Sequence, residues 1–144
     1  MTPALRPADT PEALAACFPV MQALRPHLTG VDAFLRRVHS QQSAGYRILA
    51  AWADGTVVGL AGYRVQENLI RGRFCYVDDL VVHPDHRRHG LGARLLDGVA
   101  AAVRRDGIAW LVLDTGLDNL LGQRFYFRHG MLPAALRFAM PLEG

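Results

Sequence analysis

An α/β protein with a mixed sheet is predicted by three features of the chain. Two apolar runs, Tyr46 to Trp52 and Thr56 to Tyr63, flank Ala53-Asp54-Gly55, and an Asp-Gly step between such runs favours a tight antiparallel hairpin. A later apolar run, Leu80-Val81-Val82, leads through a glycine turn into an amphipathic helix and then into a second short apolar run, Ile108 to Leu113. That order reads as a βαβ unit with a right-handed crossover. Apolar residues at helical spacing mark two helices before the hairpin and one after the glycine turn.

The elements follow in order. Ala4 to Pro7 is a short first strand, and Thr10-Pro11-Glu12 supplies an N-cap and a proline for the first helical turn. The helix runs to about Ala23, and Leu24 to Leu28 is a loop. Thr29-Gly30-Val31-Asp32 resembles a capping box, and Val31, Phe34, Leu35 and Val38 trace one face of a second helix. After the hairpin strands, a fourth strand spans Arg73 to Val82 and ends at His83-Pro84, where proline stops ladder bonding. Leu95, Leu96, Val99 and Val103 mark the face of the third helix, with Arg104 and Arg105 at its carboxyl end and Gly107 closing it. Asp118 or Asn119 caps a last helix through Arg128, Gly130 closes that helix, and Leu136 to Met140 is a sixth strand.

Composition bounds the function. The 144 residues suit one domain, 1–144, with a core of its own. No apolar run approaches the roughly 20 residues that span a bilayer, and the amino terminus lacks a secretory pattern, so a cytoplasmic protein without a membrane partner is expected. Cys17 and Cys75 then read as buried thiols rather than a disulfide. The net charge is +3 and all sixteen basic residues are arginine. The pairs Arg36-Arg37, Arg87-Arg88 and Arg104-Arg105 are dispersed and lack interleaved aromatics, which is not the footprint of a nucleic-acid partner.

The sharpest motif is Arg87-Arg88-His89-Gly90-Leu91-Gly92. A strand feeding a glycine turn and a helix aims unpaired backbone N–H groups at one spot, with the positive end of the helix dipole behind them. Phosphate or pyrophosphate suits such a spot, while the plain alternative is a helix entry punctuated by glycine. A Walker loop is excluded because the chain contains no lysine, and the dinucleotide fingerprint lacks its third glycine, Leu95 standing there. His83, His86 and His89 recur every third residue, but Pro84 interrupts any helix and Arg87 and Arg88 oppose a cation, so no metal is expected.

Two motifs together resemble the GCN5-related N-acetyltransferases (GNAT). Asp79-Leu80-Val81-Val82-His83-Pro84 running into Arg87-x-x-Gly90-x-Gly92 is similar to that family's pyrophosphate loop. Asn119-x-x-Gly122-x-x-Phe125-Tyr126-x-x-x-Gly130-Met131 is similar to its later helical segment. Gly122 stands where alanine is usual and Met131 where phenylalanine is usual, and glycine inside a helix costs about 1 kcal/mol relative to alanine. The resemblance covers nearly the whole chain and implies the GNAT fold, with the fourth and fifth strands splayed apart. It also implies acetyl-coenzyme A or a related acyl donor as co-substrate, an amine acceptor, and the possibility of a homodimer. By the same resemblance the pantetheine arm pairs with the backbone of Leu80, Val81 and Val82. The pyrophosphate rests on the turn formed by Arg87, Arg88, His89, Gly90, Leu91 and Gly92, and Asn119 and Tyr126 belong to the cofactor side.

The chemistry poses two problems. An alkylammonium with a pKa near 10.4 is only about one part in a few thousand neutral at pH 7, so a base or a water relay must remove a proton. Asp78 and Asp79 lie beside the expected thioester; Asp78 is favoured as base and Asp79 as a contact for acceptor charge, with Tyr76 an alternative relay and a purely structural role the plain reading. The leaving thiolate needs a proton, and Tyr126 matches the family's tyrosine acid, although it is also an ordinary aromatic beside Phe125 and Phe127. A backbone N–H of Leu80 or Val81 suits the developing oxyanion. A small-molecule primary amine is the expected acceptor, held near Arg25 to Leu28 and Arg64 to Arg71; Gln66-Glu67-Asn68 and Arg137-Phe138 resemble the subgroup that acetylates aminoalkylphosphonates. A protein α-amine or lysine, or a coenzyme A-binding regulatory module without turnover, are the competing readings.

Overall fold

The computed structural model describes residues 2–143, and the chain divides into two compact units, Met1–Leu113 and Asp114–Gly144. In the first, five strands lie in sequence order: β1 (Ala4–Pro7), β2 (Arg47–Ala53), β3 (Thr56–Asn68), β4 (Gly72–Val82) and β5 (Leu111–Leu113). Every neighbouring pair is antiparallel except β4 and β5, which run parallel. The β2–β3 turn forms as the Asp-Gly step predicts, with Asp54 at φ 52° and Gly55 at φ 76°. Both central residues are left-handed, which matches the twist of the flanking strands.

Helices cover both faces of this sheet. Helix α1 (Pro11–Leu24) is capped by Thr10, whose hydroxyl accepts the Ala13 N–H at 3.1 Å. It packs with α2 (Val31–Gln42) through Leu14, Cys17, Val20, Met21, Phe34 and Val38 against Ile48, Ala50, Leu60 and Val81. The intervening positions face α3 (Leu91–Arg104): Leu49 lies against Gly98, and Gly59 lies against Leu91 and Leu95. Alternate side chains thus enter opposite layers, which is why β2 and β3 read as continuous apolar runs rather than alternating ones.

Three expectations are corrected. The capping box at Thr29 does not form, because α2 begins one residue later on Gly30 and has no side-chain cap, which moves Asp32 off the position from which it would reach back. The fifth strand is only Leu111–Leu113; Ile108 instead closes α3, its N–H donating to Val103 O at 3.1 Å, and is buried. In the second unit α4 (Leu120–Arg128) is capped by Asn119 and closed at Gly130, as expected. The sixth strand, Leu136 to Met140, does not form, since no strand is paired with it among the described residues and an extended segment without a ladder leaves its backbone groups unmatched.

No helix among the described residues is long and apolar enough to cross a membrane.

Candidate active site

The register of β3 against β4 shifts at one place. Gly62 pairs with Asp79 and Tyr63 with Val77, so Asp78 is an extra residue, a β-bulge. In a regular strand two adjacent side chains point to opposite faces. The bulge re-aims one of them, and Asp78 and Asp79 enter one connected polar network.

That network joins α2, β3 and β4 with the residues just past α1 and just before β2. Arg25, just past α1, donates from Nε (3.1 Å) and Nη2 (2.9 Å) to Asp79 Oδ1, and from Nη2 to the Asp78 carbonyl at 2.8 Å. Tyr46 donates its hydroxyl to Asp79 Oδ2 at 2.6 Å. Arg64 on β3 donates from Nε to Asp78 Oδ2 at 3.0 Å and from Nη2 to Gln41 of α2 at 2.8 Å. Gly62 makes room for this arrangement, since a Cβ there would collide with the Tyr46 hydroxyl and lie 2.9 Å from Asp79 Oδ2.

The two acids differ in electrostatics. Burial pushes the Asp78 carboxyl above the ordinary carboxylate range, and its bond and charge pairing with Arg64 oppose that rise without cancelling it. Both Asp79 oxygens are engaged, Oδ1 twice by Arg25 and Oδ2 once by Tyr46, so only Oδ2 keeps a further lone pair. The Tyr46 phenol is held protonated well above its usual range, first by burial and then by the charge and hydrogen bond of Asp79. The thiols of Cys17 and Cys75 are free, buried and each pushed up to about 12 by burial, so neither is a nucleophile at neutral pH.

Past the acids, β4 continues without a β5 neighbour. Pairing with β5 covers only Cys75, Tyr76 and Val77, whereas Leu80, Val81 and Val82 pair with β3 alone. This is the expected splay, and it leaves one edge of that backbone open to an extended ligand. The strand then enters a short 3-10 turn, Pro84–His86, where His83 Nδ1 accepts the Asp85 N–H at 3.1 Å. Arg87 folds its Nε back onto Val82 O at 3.1 Å. Arg88 (φ 68°) and Gly90 (φ 75°) are both left-handed, and Leu91 and Gly92 open α3 with first-turn N–H groups that have no acceptor inside the helix. Successive N–H groups in such a turn form an anion-binding concavity, which fits a pyrophosphate.

Within the second unit, Asn119 Oδ1 accepts the Gly122 N–H at 3.1 Å, and its Nδ2 donates to Thr115 Oγ1 at 2.9 Å. A Cβ on Gly122 would collide with that Asn119 side chain, which explains why glycine stands where the family pattern has alanine. Tyr126 lies on α4, edge-on to Phe125 at 5.2 Å, and burial raises its phenol. Tyr76, the alternative relay, lies on β4 opposite Arg64.

Of the expected acceptor-side residues, Arg25 and Arg64 join the acids directly, whereas Arg71 stacks on Trp110 at 4.1 Å. Sequence reasoning missed Tyr46, Gln41 and Gly62. Only Gly62 left a signal, an isolated glycine inside a strand pattern, which marks a bulge or a close approach.

The sequence matches the acetyltransferase (GNAT) family over residues 12–131. The chain belongs to that family and is an acyltransferase by that membership. An uncharacterized N-acetyltransferase of Bacillus subtilis (strain 168), YhdJ, is 28% identical over 116 residues, covering 80% of this chain and 81% of that protein. The aminoglycoside N-acetyltransferase AAC(6')-Iy, solved with the bisubstrate analog CoA-S-monomethyl-acetylneamine, superposes with a TM-score of 0.87 at 18% identity, covering 100% of both chains. A ribosomal-protein-alanine N-acetyltransferase from Brucella melitensis biovar Abortus 2308 superposes with a TM-score of 0.75 at 22% identity, covering 100% of this chain and 99% of that one. At these identities the two structures establish a shared fold.

Proposed function

We propose that the chain moves an acetyl group from acetyl-coenzyme A to a primary amine of a small molecule by direct attack in a ternary complex. The observation that carries this reading is the β4 bulge, which sets Asp78 and Asp79 in one network a few residues before an open strand edge and an anion-binding turn. We read residues 1–144 as one catalytic domain, because the family match runs across the boundary between the two compact units.

Acetyl-coenzyme A supplies the activated acyl group. The backbone of Leu80 to Val82 takes its extended arm, and the N–H groups from His89 to Gly92 take its pyrophosphate, with Asn119 and Tyr126 on the cofactor side. Asp78 removes the proton from the acceptor ammonium; its raised pKa brings it nearer to the amine it must deprotonate than an ordinary carboxylate would be. Asp79 holds Arg25 and Tyr46 in place and offers the remaining lone pair of Oδ2 to acceptor charge. Tyr126 returns a proton to the departing thiolate, a role suited to a phenol that stays protonated. A small-molecule acceptor agrees with the bisubstrate complex of the aminoglycoside enzyme, whose fold this chain shares.

The test is coenzyme A release from acetyl-coenzyme A across a panel of polyamines, aminoglycosides, amino acids and aminoalkylphosphonates, for the parent and for Tyr126→Phe. One amine driving turnover, with at least a tenfold loss in the variant at unchanged cofactor binding, is the expected result. Cofactor binding with no release on any amine would replace this reading with a protein acceptor or a non-catalytic module.

A further inference from the structure

Arg64 divides its guanidinium between two elements. Its Nε donates to Asp78 Oδ2 on β4 at 3.0 Å, and its Nη2 donates to Gln41 Oε1 near the end of α2 at 2.8 Å. These two N–H groups share one edge of the planar guanidinium, the edge that can grip a carboxylate with two parallel bonds. Arg25 applies the same edge undivided, with Nε and Nη2 both on Asp79 Oδ1. On Asp78 the grip is split, and among the described residues none donates to Oδ1.

The pose of Arg64 is held from more than one side. Its guanidinium carbon lies 5.2 Å from the centre of the Tyr46 ring. The Arg64 and Asp78 side chains are 18% and 25% exposed, so protein donors rather than bulk water decide which oxygen stays open. Gln41 also accepts the Tyr46 N–H on its backbone carbonyl at 3.1 Å. That second bond is independent of the Gln41 side chain, so a substitution there leaves Tyr46 and its bond to Asp79 in place.

We propose that Gln41 is a positioning residue for Asp78: by taking one prong of the Arg64 fork, it keeps Asp78 Oδ1 open to the acceptor ammonium. The proposal rests on the reading of Asp78 as the base. A proton passes from the ammonium nitrogen to Oδ1, and the nitrogen keeps the electron pair with which it attacks. Without the Gln41 oxygen, Nη2 turns to Oδ1 and covers the atom that must receive the proton. A second bond to the ionised carboxylate also weakens its hold on a proton, against the burial that keeps Asp78 above the ordinary range. The other groups around Asp78 are Asp79 beside it, Arg25 on its carbonyl, the Tyr46 phenol and the Cys75 thiol, and none of them bonds to the Gln41 side chain.

The experiment follows the Asp78 carboxyl carbon by NMR through a pH titration of the full chain, alongside coenzyme A release on the amine panel. Gln41→Met keeps the length of the side chain and a good helix former, but its thioether is only a weak acceptor. The Asp78 midpoint should fall by about one pH unit, and kcat by about tenfold or more, with KM for acetyl-coenzyme A unchanged. Gln41→Glu still offers Nη2 an oxygen, so its midpoint should not fall below the parent's and its turnover should be retained. Arg64→Met removes both prongs, and its midpoint should rise. A Gln41→Met midpoint at or above the parent's, or a fall of equal size in Gln41→Glu, would overturn the proposal whatever the activity. Parental turnover by Asp78→Asn would overturn the base reading and this proposal with it, a failure set apart because it shows in activity while the midpoints still move.

Discussion

Replacing Tyr46 by phenylalanine removes one oxygen and tests what holds the two acids in place. The hydroxyl donates to Asp79 Oδ2 at 2.6 Å, Tyr46 is only 3% exposed, and the Asp79 side chain is 12% exposed. Water therefore has little access to replace the lost donor. A hydrogen bond to a charged group contributes about 1.5–3 kcal/mol, and Tyr46→Phe should lower the unfolding free energy by that amount at pH 7. Urea denaturation reads it directly, with an unchanged slope confirming that the unfolded state is the same. The pH dependence gives a second, independent signature. The folded phenol has its pKa raised, so above about pH 10 the unfolded chain loses a proton that the folded chain keeps, and stability falls as pH rises. The variant lacks that loss, so its deficit relative to the parent should shrink by about 1.4 kcal/mol per pH unit above 10. A deficit below about 0.5 kcal/mol at pH 7, or one that does not change between pH 9 and 11, would refute the buried hydrogen bond as the clamp on Asp79.

Gly62→Ala should be worse than an ordinary strand substitution: its Cβ displaces the Tyr46 hydroxyl from Asp79, and overpacking of this kind costs about 1–3 kcal/mol, read in the same urea assay. Gly122→Ala should be close to neutral, within about 0.5 kcal/mol, because the roughly 1 kcal/mol gained in helix propensity is offset by loss of the Asn119 cap; a full gain of 1 kcal/mol would show that the cap does not form. The thiols at about 12 rather than 9.0 imply a thiolate fraction at pH 8 lowered by about a thousand-fold, so a disulfide reagent should titrate neither cysteine in the native chain and both in denaturant. The same thiols make the protein less stable as pH rises from 9 towards 12, since only the unfolded cysteines ionise there, and replacing both with alanine should flatten that part of the stability curve.

Local chemistry made most of the fold readable from the residues alone. The Asp54-Gly55 turn, the Thr10 and Asn119 caps, the face of α3 and the closure at Gly130 depend on neighbours within a few positions, and each forms where the residues place it. The two motifs around Gly90 and Asn119 likewise pointed to the family, because the turn and the cap they encode are local devices. The failures have two causes, a missing partner distant in sequence and a competing local closure. Leu136 to Met140 has the alternation of a strand, but a strand exists only where another lies beside it. Ile108 belongs to the apolar run before β5, but closing α3 on Val103 claims it first.

The candidate site divides along the same line. Asp78 and Asp79 could be named from the sequence as adjacent acids at the end of a strand, and the glycine turn after them as an anion site. Their placement in one network rests on a register shift between β3 and β4, and the side chains that hold their carboxylates, Arg25, Tyr46 and Arg64, lie 54, 33 and 14 residues away from the acids they bind. Hydrogen-bond partners at such separations are set by how layers pack, not by the run of side chains. The residue types of the site were therefore written in the sequence, while tertiary structure alone decided which acid is clamped on both oxygens and which is left half-buried with its pKa raised.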